Sequence, residues 1–261
     1  MKLKLKHLAA AMGLALVAAP SFADIITPTT GDGELILVAY GTAKAGGTDA
    51  SYTLDLGVLN SAFLASPSLS ATVSGANWDA FTNAVDLSTA NWAVFGGKNT
   101  GVSVGARNLL STVQVGQESA AGTLTSSNLT LALGELYAYE SLVNQGGTHT
   151  TLANGDSFDP KGSLGYFQAL NGNSLNTKLP YSAGNLIGTT SEFTNLIRST
   201  GSTPVTESVF PGTLSFANVG GVYTLSYGAV AAVPEPSGVV LALSAFGVLG
   251  IARRRRAGRP A

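Results

Sequence analysis

The chain has 261 residues, of which 45% are hydrophobic and 11% are charged, and its lack of cysteine excludes disulfides and thiol chemistry. Eight of the fourteen basic residues lie at the two ends, so the body between Asp24 and Val233 has six basic against fourteen acidic residues, a net charge of −8. An acidic surface does not attract phosphate backbones, which argues against a nucleic-acid partner.

The first 23 residues have the three parts of a secretory signal peptide. Three lysines within the first six residues precede an apolar run from 8 to 19, and small residues end the segment at Ala23. A short buried helix is the alternative, but it does not explain this order. We therefore predict a signal helix that directs export through the Sec machinery, with signal peptidase cutting between Ala23 and Asp24.

Residues 24–228 form the predicted secreted domain, large enough for one core, and have mainly the patterns of β-strands. Glu34 to Ala43 is a long apolar run that predicts a strand buried on both faces, and Tyr52 to Leu56 alternates as a half-buried strand does. The turn sequence between them predicts a hairpin. A second hairpin is predicted from 212–216 and 222–227.

Other segments have weaker strand patterns. Short strands are predicted at 68–74, 92–95, 102–104 and 113–115, a strand or a turn of helix at 186–198, and a polar loop at 148–178. A linker of small residues follows at 229–232. These elements predict a mainly β domain, a β-sandwich or jelly-roll-like fold with one or two peripheral helices.

Two segments have helical spacing. Trp78, Phe81 and Val85 share one face of a short helix that packs its aromatic residues onto the sheet. In Thr125–Gln145 one face carries several large apolar residues, namely Leu129, Leu133, Leu136, Tyr137 and Val143, with Ser126 or Ser127 as the N-cap and Gly146-Gly147 at the end. Gly134 and the alternation at 129–133 argue against a helix in its first half.

The body shows no motif that establishes a reaction. His149 is its only histidine, no Gly-x-Ser-x-Gly elbow occurs, and a zinc enzyme is disfavoured. We predict no catalytic, cofactor or metal residues. Structural calcium stays open, because Asn154–Asp159 and Asp32–Glu34 place carboxylates near glycines, although neither has EF-hand spacing.

Trp78 and Trp92 are the two tryptophans of the chain. Each stands among large apolar residues, which favours a place in the core. The alternative is a carbohydrate platform, which requires exposed aromatic side chains such as Trp78, Trp92, Tyr166 or Tyr181 beside carboxylates in a cleft.

The C-terminus carries an apolar run followed by arginines. Residues 238–252 are almost wholly apolar, and Arg253, Arg254, Arg255 and Arg256 follow. Because cytoplasmic flanks are rich in Lys and Arg, we predict a transmembrane helix at 238–252 and a cytoplasmic tail at 257–261. The apolar run is shorter than the roughly 20 residues that span a bilayer comfortably.

Val233, Pro234, Glu235 and Pro236, followed by this helix and the arginine cluster, resemble the PEP-CTERM sorting signal of Gram-negative bacteria over residues 233–256. The resemblance implies that exosortase, a membrane enzyme, recognises the protein as its substrate. It implies an exported chain held briefly in the inner membrane, cut near Pro234–Pro236, and then released or attached at the cell surface or in the extracellular matrix.

The resemblance also implies a link to exopolysaccharide and biofilm. We therefore expect a non-enzymatic surface or matrix protein whose partners are signal peptidase, the Sec machinery, exosortase and an exopolysaccharide. The alternative is a secreted carbohydrate-binding module or polysaccharide hydrolase.

Overall fold

The fold is built on a curled antiparallel sheet. The structure is a computed structural model that describes residues 24–29, 31–146, 155–167, 179 and 183–229. Within these ranges the strands are β1 (Asp32–Gly41), β2 (Ala50–Leu59), β3 (Ser70–Val73), β4 (Asn91–Asn99), β5 (Arg107–Val113), β6 (Asp156–Pro160), β7 (Asn185–Leu186), β8 (Thr190–Ile197), β9 (Thr206–Val219) and β10 (Val222–Ala229). The helices are α1 (Asn60–Ala65), α2 (Ala76–Ala84), α3 (Glu118–Ala121) and α4 (Ser126–Gln145).

The sheet has the order β3-β10-β9-β8-β5-β4-β1-β2-β6, with β7 pairing β4. Both predicted hairpins are confirmed. β1 and β2 pair antiparallel, with Leu37 opposite Leu54. β9 and β10 are neighbours joined at Gly220 and Gly221, whose φ angles of 64° and 92° suit the type I′ turn that a two-residue hairpin requires.

Strand β1 is buried on both faces, as predicted from its unbroken apolar run. Leu35, Leu37 and Ala39 belong to one hydrophobic cluster, whereas Ile36, Val38 and Tyr40 belong to another. We call the first side of the sheet the inner face and the second the outer face. Because successive side chains of a strand point to opposite faces, one strand supports two cores.

Helix α2 fills the curl of the inner face. Its Trp78 ring lies 5.1 Å from the ring of Tyr52 on β2 and 4.9 Å from that of Tyr223 on β10. These two strands stand six places apart in the sheet, so the sheet must bend around the helix to bring both rings to one side chain. The predicted short helix and its aromatic packing are confirmed. The mainly β class is also confirmed, and the curl makes the fold similar to a sandwich.

Helix α4 is helical from Ser126 to Gln145, including the first half that the sequence argued against, and it packs on the outer face. Thr125 is its N-cap, because the Thr125 Oγ1 accepts a hydrogen bond from the Asn128 N–H at 3.2 Å. The predicted cap, Ser126 or Ser127, is therefore wrong by one or two positions. Gly134 does not break the helix, because it lies on the exposed side where no packing is lost.

Four of the five residues predicted for the buried face of α4 are buried, whereas Tyr137 is 38% exposed. Tyr137 follows Leu136 directly, so it lies about 100° further around the helix than the side chain that enters the core. The predicted face was therefore too wide at this position.

Three predictions about strands need correction. Residues 102–104 form a turn between β4 and β5, in which Val102 and Val104 are 72% and 65% exposed. The strand predicted at 113–115 instead starts at Arg107 and ends at Val113. The loop predicted at 148–178 is wrong at β6, whose sequence, Asp-Ser-Phe-Asp-Pro, has the polarity of a turn. The segment forms a strand because β2 supplies its backbone hydrogen-bond partners.

Candidate functional site

The first described residues directly follow the predicted signal-peptidase bond. Asp24 is exposed, whereas Ile25 is 3% exposed and belongs to the outer core. The Asn144 side chain of α4 forms hydrogen bonds with both backbone polar groups of Ile25. Its Oδ1 accepts from the Ile25 N–H, and its Nδ2 donates to the Ile25 carbonyl, both at 3.0 Å. The chain is thus integrated into the body within two residues of the predicted cut. Ala23 lies outside the described residues.

The predicted sorting residues of the C-terminus also lie outside the described residues. They are Val233, Pro234, Glu235, Pro236, Arg253, Arg254, Arg255 and Arg256. The last described strand, β10, ends at Ala229. Across the described ranges, no helix is long and apolar enough to cross a membrane. The helix predicted at 238–252 lies outside those ranges.

The tryptophans are core residues, as their sequence context predicted. Trp92 is fully buried and its Nε1 donates to the Leu186 carbonyl at 3.0 Å, while Trp78 is 4% exposed. Tyr166 is 6% exposed, and Tyr181 lies outside the described residues. The aromatic side chains that a carbohydrate platform would expose are therefore buried wherever the structure describes them.

A shallow groove of about 290 Å³ lies beside Trp78 on the surface of α2. Its described lining consists of Val73, Ser74, Trp78, Asp79, Thr82, Leu87, Gly221, Val222 and Tyr223. Asp79 is the one carboxylate in that lining. Most glycoside hydrolases need two carboxylates that flank the scissile bond. The described lining of this groove therefore supplies one carboxylate, whereas a hydrolase of that type uses two.

The carboxylates considered for calcium already have hydrogen-bond partners in the fold. The Asp156 carboxylate accepts from the Tyr52 hydroxyl and from the Asn77 Nδ2, both at 3.0 Å. The Asp32 carboxylate accepts from the Ser61 N–H at 3.1 Å. In the part of the chain that the structure describes, no three His, Cys, Asp or Glu side chains converge as metal ligands.

Three acidic side chains lie between α4 and the outer face of the sheet, and of these the sequence had suggested a role only for Glu34, in calcium binding. Glu34 and Asp55 are 1% and 8% exposed, and Glu140 of α4 is fully buried. Neither carboxylate oxygen of Glu140 has a hydrogen-bond partner among the described residues. The signal that could have revealed it is an acid between Leu136 and Val143 on the core-facing side of a helix.

Burial governs the protonation of these groups. It raises the pKa of Glu140 well above the ordinary value, and the nearby Asp55 and Glu34 charges raise it further. Burial also raises the pKa of Asp55 to about 7, although the Gly57 N–H that donates to its Oδ1 at 2.8 Å opposes the change. Burial therefore favours the neutral form of Glu140 over the charged form.

A second groove, of about 170 Å³, lies between α4, the N-terminal segment and the β4–β5 hairpin. We call it the arginine groove, and its described lining consists of Pro28, Thr29, Asn99, Arg107, Thr130, Leu133, Gly134 and Tyr137. From the sequence, Arg107 was one of the six basic residues of the body, with no predicted role. Its position became apparent only once β5 had been placed beside α4.

Comparison with known protein families identifies the C-terminal segment. Residues 232–256 match the family model of the PEP-CTERM protein-sorting motif, which confirms the resemblance stated for residues 233–256. No curated protein and no solved structure matches the chain. The C-terminal segment of the chain therefore carries a recognised sorting motif, whereas conclusions about the body rest on its structure.

Proposed function

We propose that this chain, which carries a PEP-CTERM sorting motif, is an exported surface or extracellular-matrix protein whose body acts by binding and adhesion rather than by catalysis. The match at 232–256 is the observation that carries the proposal, because this motif indicates sorting by exosortase. It also implies export and a membrane-anchored intermediate before display at the cell surface.

The residues of the motif have a physical reason to serve as a cutting point. Proline fixes φ and lacks an N–H, so the sequence predicts that Pro234 and Pro236 keep the segment extended and prevent helix formation across it. On this prediction, Glu235 would be presented on unpaired backbone beside the membrane, where a membrane enzyme can bind it. The arginines behind the apolar run orient the chain with its C-terminus in the cytoplasm.

The non-enzymatic role is supported by the two grooves whose lining the structure describes. The groove beside Trp78 has one carboxylate, and the described lining of the arginine groove has none. Neither supplies the pair of acids that most glycosidases use. A binding role needs no such pair, only a concave surface with directed polar groups. These features favour binding to an exopolysaccharide of the matrix over hydrolysis of it.

Mass spectrometry of the mature protein, from strains with and without exosortase, tests the sorting part of the proposal. With the enzyme, we expect a C-terminus near Pro234–Pro236, so that Phe246 and the four arginines are missing. Without the enzyme, those residues should remain. A released form that retains Phe246 in the presence of exosortase would refute the proposal.

A substitution series sharpens this test. Glu235→Ala removes the presented carboxylate, and we expect the uncut form to accumulate in the membrane fraction. Glu207→Ala, which changes an acid of the body outside the motif, is the matched control and should be processed as the wild type is. A pull-down of the released protein with the exopolysaccharide of the same strain tests the binding part.

A further inference from the structure

We propose that the arginine groove binds the carboxylate-bearing unit of an acidic saccharide. This inference deepens the proposed function, because it names the class of matrix partner. Its test uses binding alone, so its result does not depend on whether exosortase sorts the chain.

The guanidinium of Arg107 is held in place before any ligand arrives. Its Nε donates to the Asn99 Oδ1 at 2.8 Å, and its Nη1 donates to the Thr130 Oγ1 at 3.0 Å. These two bonds use two of the five N–H donors of an arginine. Orientation by neutral partners leaves the positive charge intact, and a fixed guanidinium suits the bidentate recognition of a carboxylate.

A second arginine, Arg198, lies directly opposite Arg107 in the sheet, next to the groove but outside its described lining. The register of β5 and β8 continues to Arg107 and Arg198, where the Arg198 N–H donates to the Arg107 carbonyl at 2.9 Å. The Nε and Nη1 of Arg198 are buried and have no hydrogen-bond partner among the described residues. Like charges directly opposite each other destabilise a sheet, so an anion at this position would be favoured.

No carboxylate neutralises this pair within the described ranges. The ion pair found there, between Lys161 and Asp49 at 2.9 Å, involves neither arginine. The body has fourteen acidic residues, so the absence of acids from the described lining of this groove contrasts with the rest of its surface. The result is a local positive site on an acidic protein.

The shape of the groove favours a sugar ring over a bare anion. Gly134 is an exposed residue of the lining at which a Cβ would meet nothing within 4 Å, and Tyr137, also in the lining, is 38% exposed. Pro28 and Leu133 add further apolar lining. The volume of about 170 Å³ is below the roughly 300–1,000 Å³ of sites for larger ligands, which suits one saccharide unit.

The test measures binding of galacturonate, galactose and sulfate to the full chain in detergent micelles by isothermal titration calorimetry. We expect galacturonate to bind at least tenfold more tightly than galactose, which lacks the carboxylate, and more tightly than sulfate, which lacks the ring. Equal affinity for galacturonate and galactose would overturn the role of the arginines. Equal affinity for sulfate and galacturonate would reduce the groove to a simple anion site and overturn the saccharide assignment.

Two variants locate the binding in this groove. Gly134→Leu adds a large side chain to the groove lining while improving helix propensity, and we expect it to lose galacturonate binding with an unchanged circular dichroism spectrum. Leu131→Ala, at a side chain of the same helix that is 52% exposed and outside the groove lining, is its control and should bind as the wild type does. Wild-type affinity in Gly134→Leu would overturn the proposal.

Arg107→Gln should weaken binding about tenfold or more, since the charge-assisted hydrogen bonds to the carboxylate are lost. Arg107→Lys keeps the charge but loses the planar fork, so an intermediate affinity is expected. Lys44→Gln removes a cation outside the groove lining and serves as the control. If Arg107→Gln and Lys44→Gln have the same effect, then general charge rather than the groove is responsible, and the proposal fails.

Discussion

Glu140 lies on the core-facing side of helix α4 with no exposed surface and with no hydrogen-bond partner for either carboxylate oxygen among the described residues. A buried charge without a partner is costly, so the protonated form is favoured. Asp55 and Glu34 lie close enough that their charges raise the pKa of Glu140 further. At the scale of single residues, the body thus contains acids that stabilise it only while they hold their protons.

The direction of the pH dependence follows from these raised pKa values. The folded state binds protons more tightly than the unfolded state, so the stability from these acids is fully present below their ordinary pKa values of 4.5 for Glu140 and 3.8 for Asp55. It is lost as the pH rises. For Asp55 this loss falls between about pH 4 and pH 7, and for Glu140 it begins near the ordinary pKa of 4.5 and ends at the raised pKa of the buried acid.

We predict that Glu140→Gln raises the free energy of unfolding at pH 8, because at that pH folding must either add a proton to Glu140 or bury its charge, and the neutral amide avoids both costs. One pKa unit corresponds to about 1.4 kcal/mol, so a gain of about 1 kcal/mol or more is expected. Urea unfolding followed by circular dichroism at pH 5 and pH 8 measures it, and the gain should shrink at pH 5. Asp79→Asn, at an exposed acid, is the control. A gain that is the same at both pH values would contradict the buried-acid explanation.

At the scale of elements, α4 organises the outer face. Its apolar side packs on β1, β4 and β5, and its Asn144 holds the segment after the predicted signal-peptidase bond. Its Tyr139 hydroxyl is hydrogen bonded to the Thr53 Oγ1 of β2, so the helix also satisfies polar groups on the sheet. One helix therefore buries both the apolar and the polar side chains of this face.

We predict that Thr125→Ala destabilises the body by about 1 kcal/mol, the usual cost of losing a side-chain N-cap. The reason is that the Asn128 N–H then loses its acceptor. Ser127→Ala is the matched control, because Ser127 is exposed and donates to the Gly201 carbonyl rather than capping the helix. Thermal unfolding of both variants measures the difference. A larger loss in Ser127→Ala would instead identify Ser127 as the cap.

At the scale of the whole molecule, the curl of the sheet depends on aromatic packing at its centre. Trp78 contacts rings on β2, β9 and β10 as well as Phe81 on its own helix. Strand β2 is far from β9 and β10 in the sheet order, so Trp78 joins two regions that no backbone ladder connects directly.

We predict that Trp78→Ala lowers the free energy of unfolding by about 3–5 kcal/mol, the usual cost of removing a large aromatic side chain from a core. Trp78→Phe, which keeps part of the ring contacts, should lose less. Leu164→Ala, at a side chain that is 66% exposed, is the control. Denaturant unfolding measures all three. A loss below about 1 kcal/mol in Trp78→Ala would show that the curl does not depend on this residue.

The sequence by itself determined the features that depend on local order along the chain. The sorting motif, both hairpins, the helix at Trp78 and the second half of the helix within Thr125–Gln145 were predicted because alternation, helical spacing and turn residues act between near neighbours. The apolar run of β1 likewise indicated burial on both faces. Each of these signals is complete within about twenty residues.

Only the tertiary structure decided the features that depend on distant partners. Thr53 and Asp55 alternate with apolar residues as a solvent-facing set would, yet they are buried because α4 covers that face. Strand β6 exists because β2 offers it a backbone ladder. Arg107 and Arg198 are ninety-one residues apart and meet only through the register of β5 and β8. Register and layer packing are set by the whole core, and for that reason no local pattern predicted them.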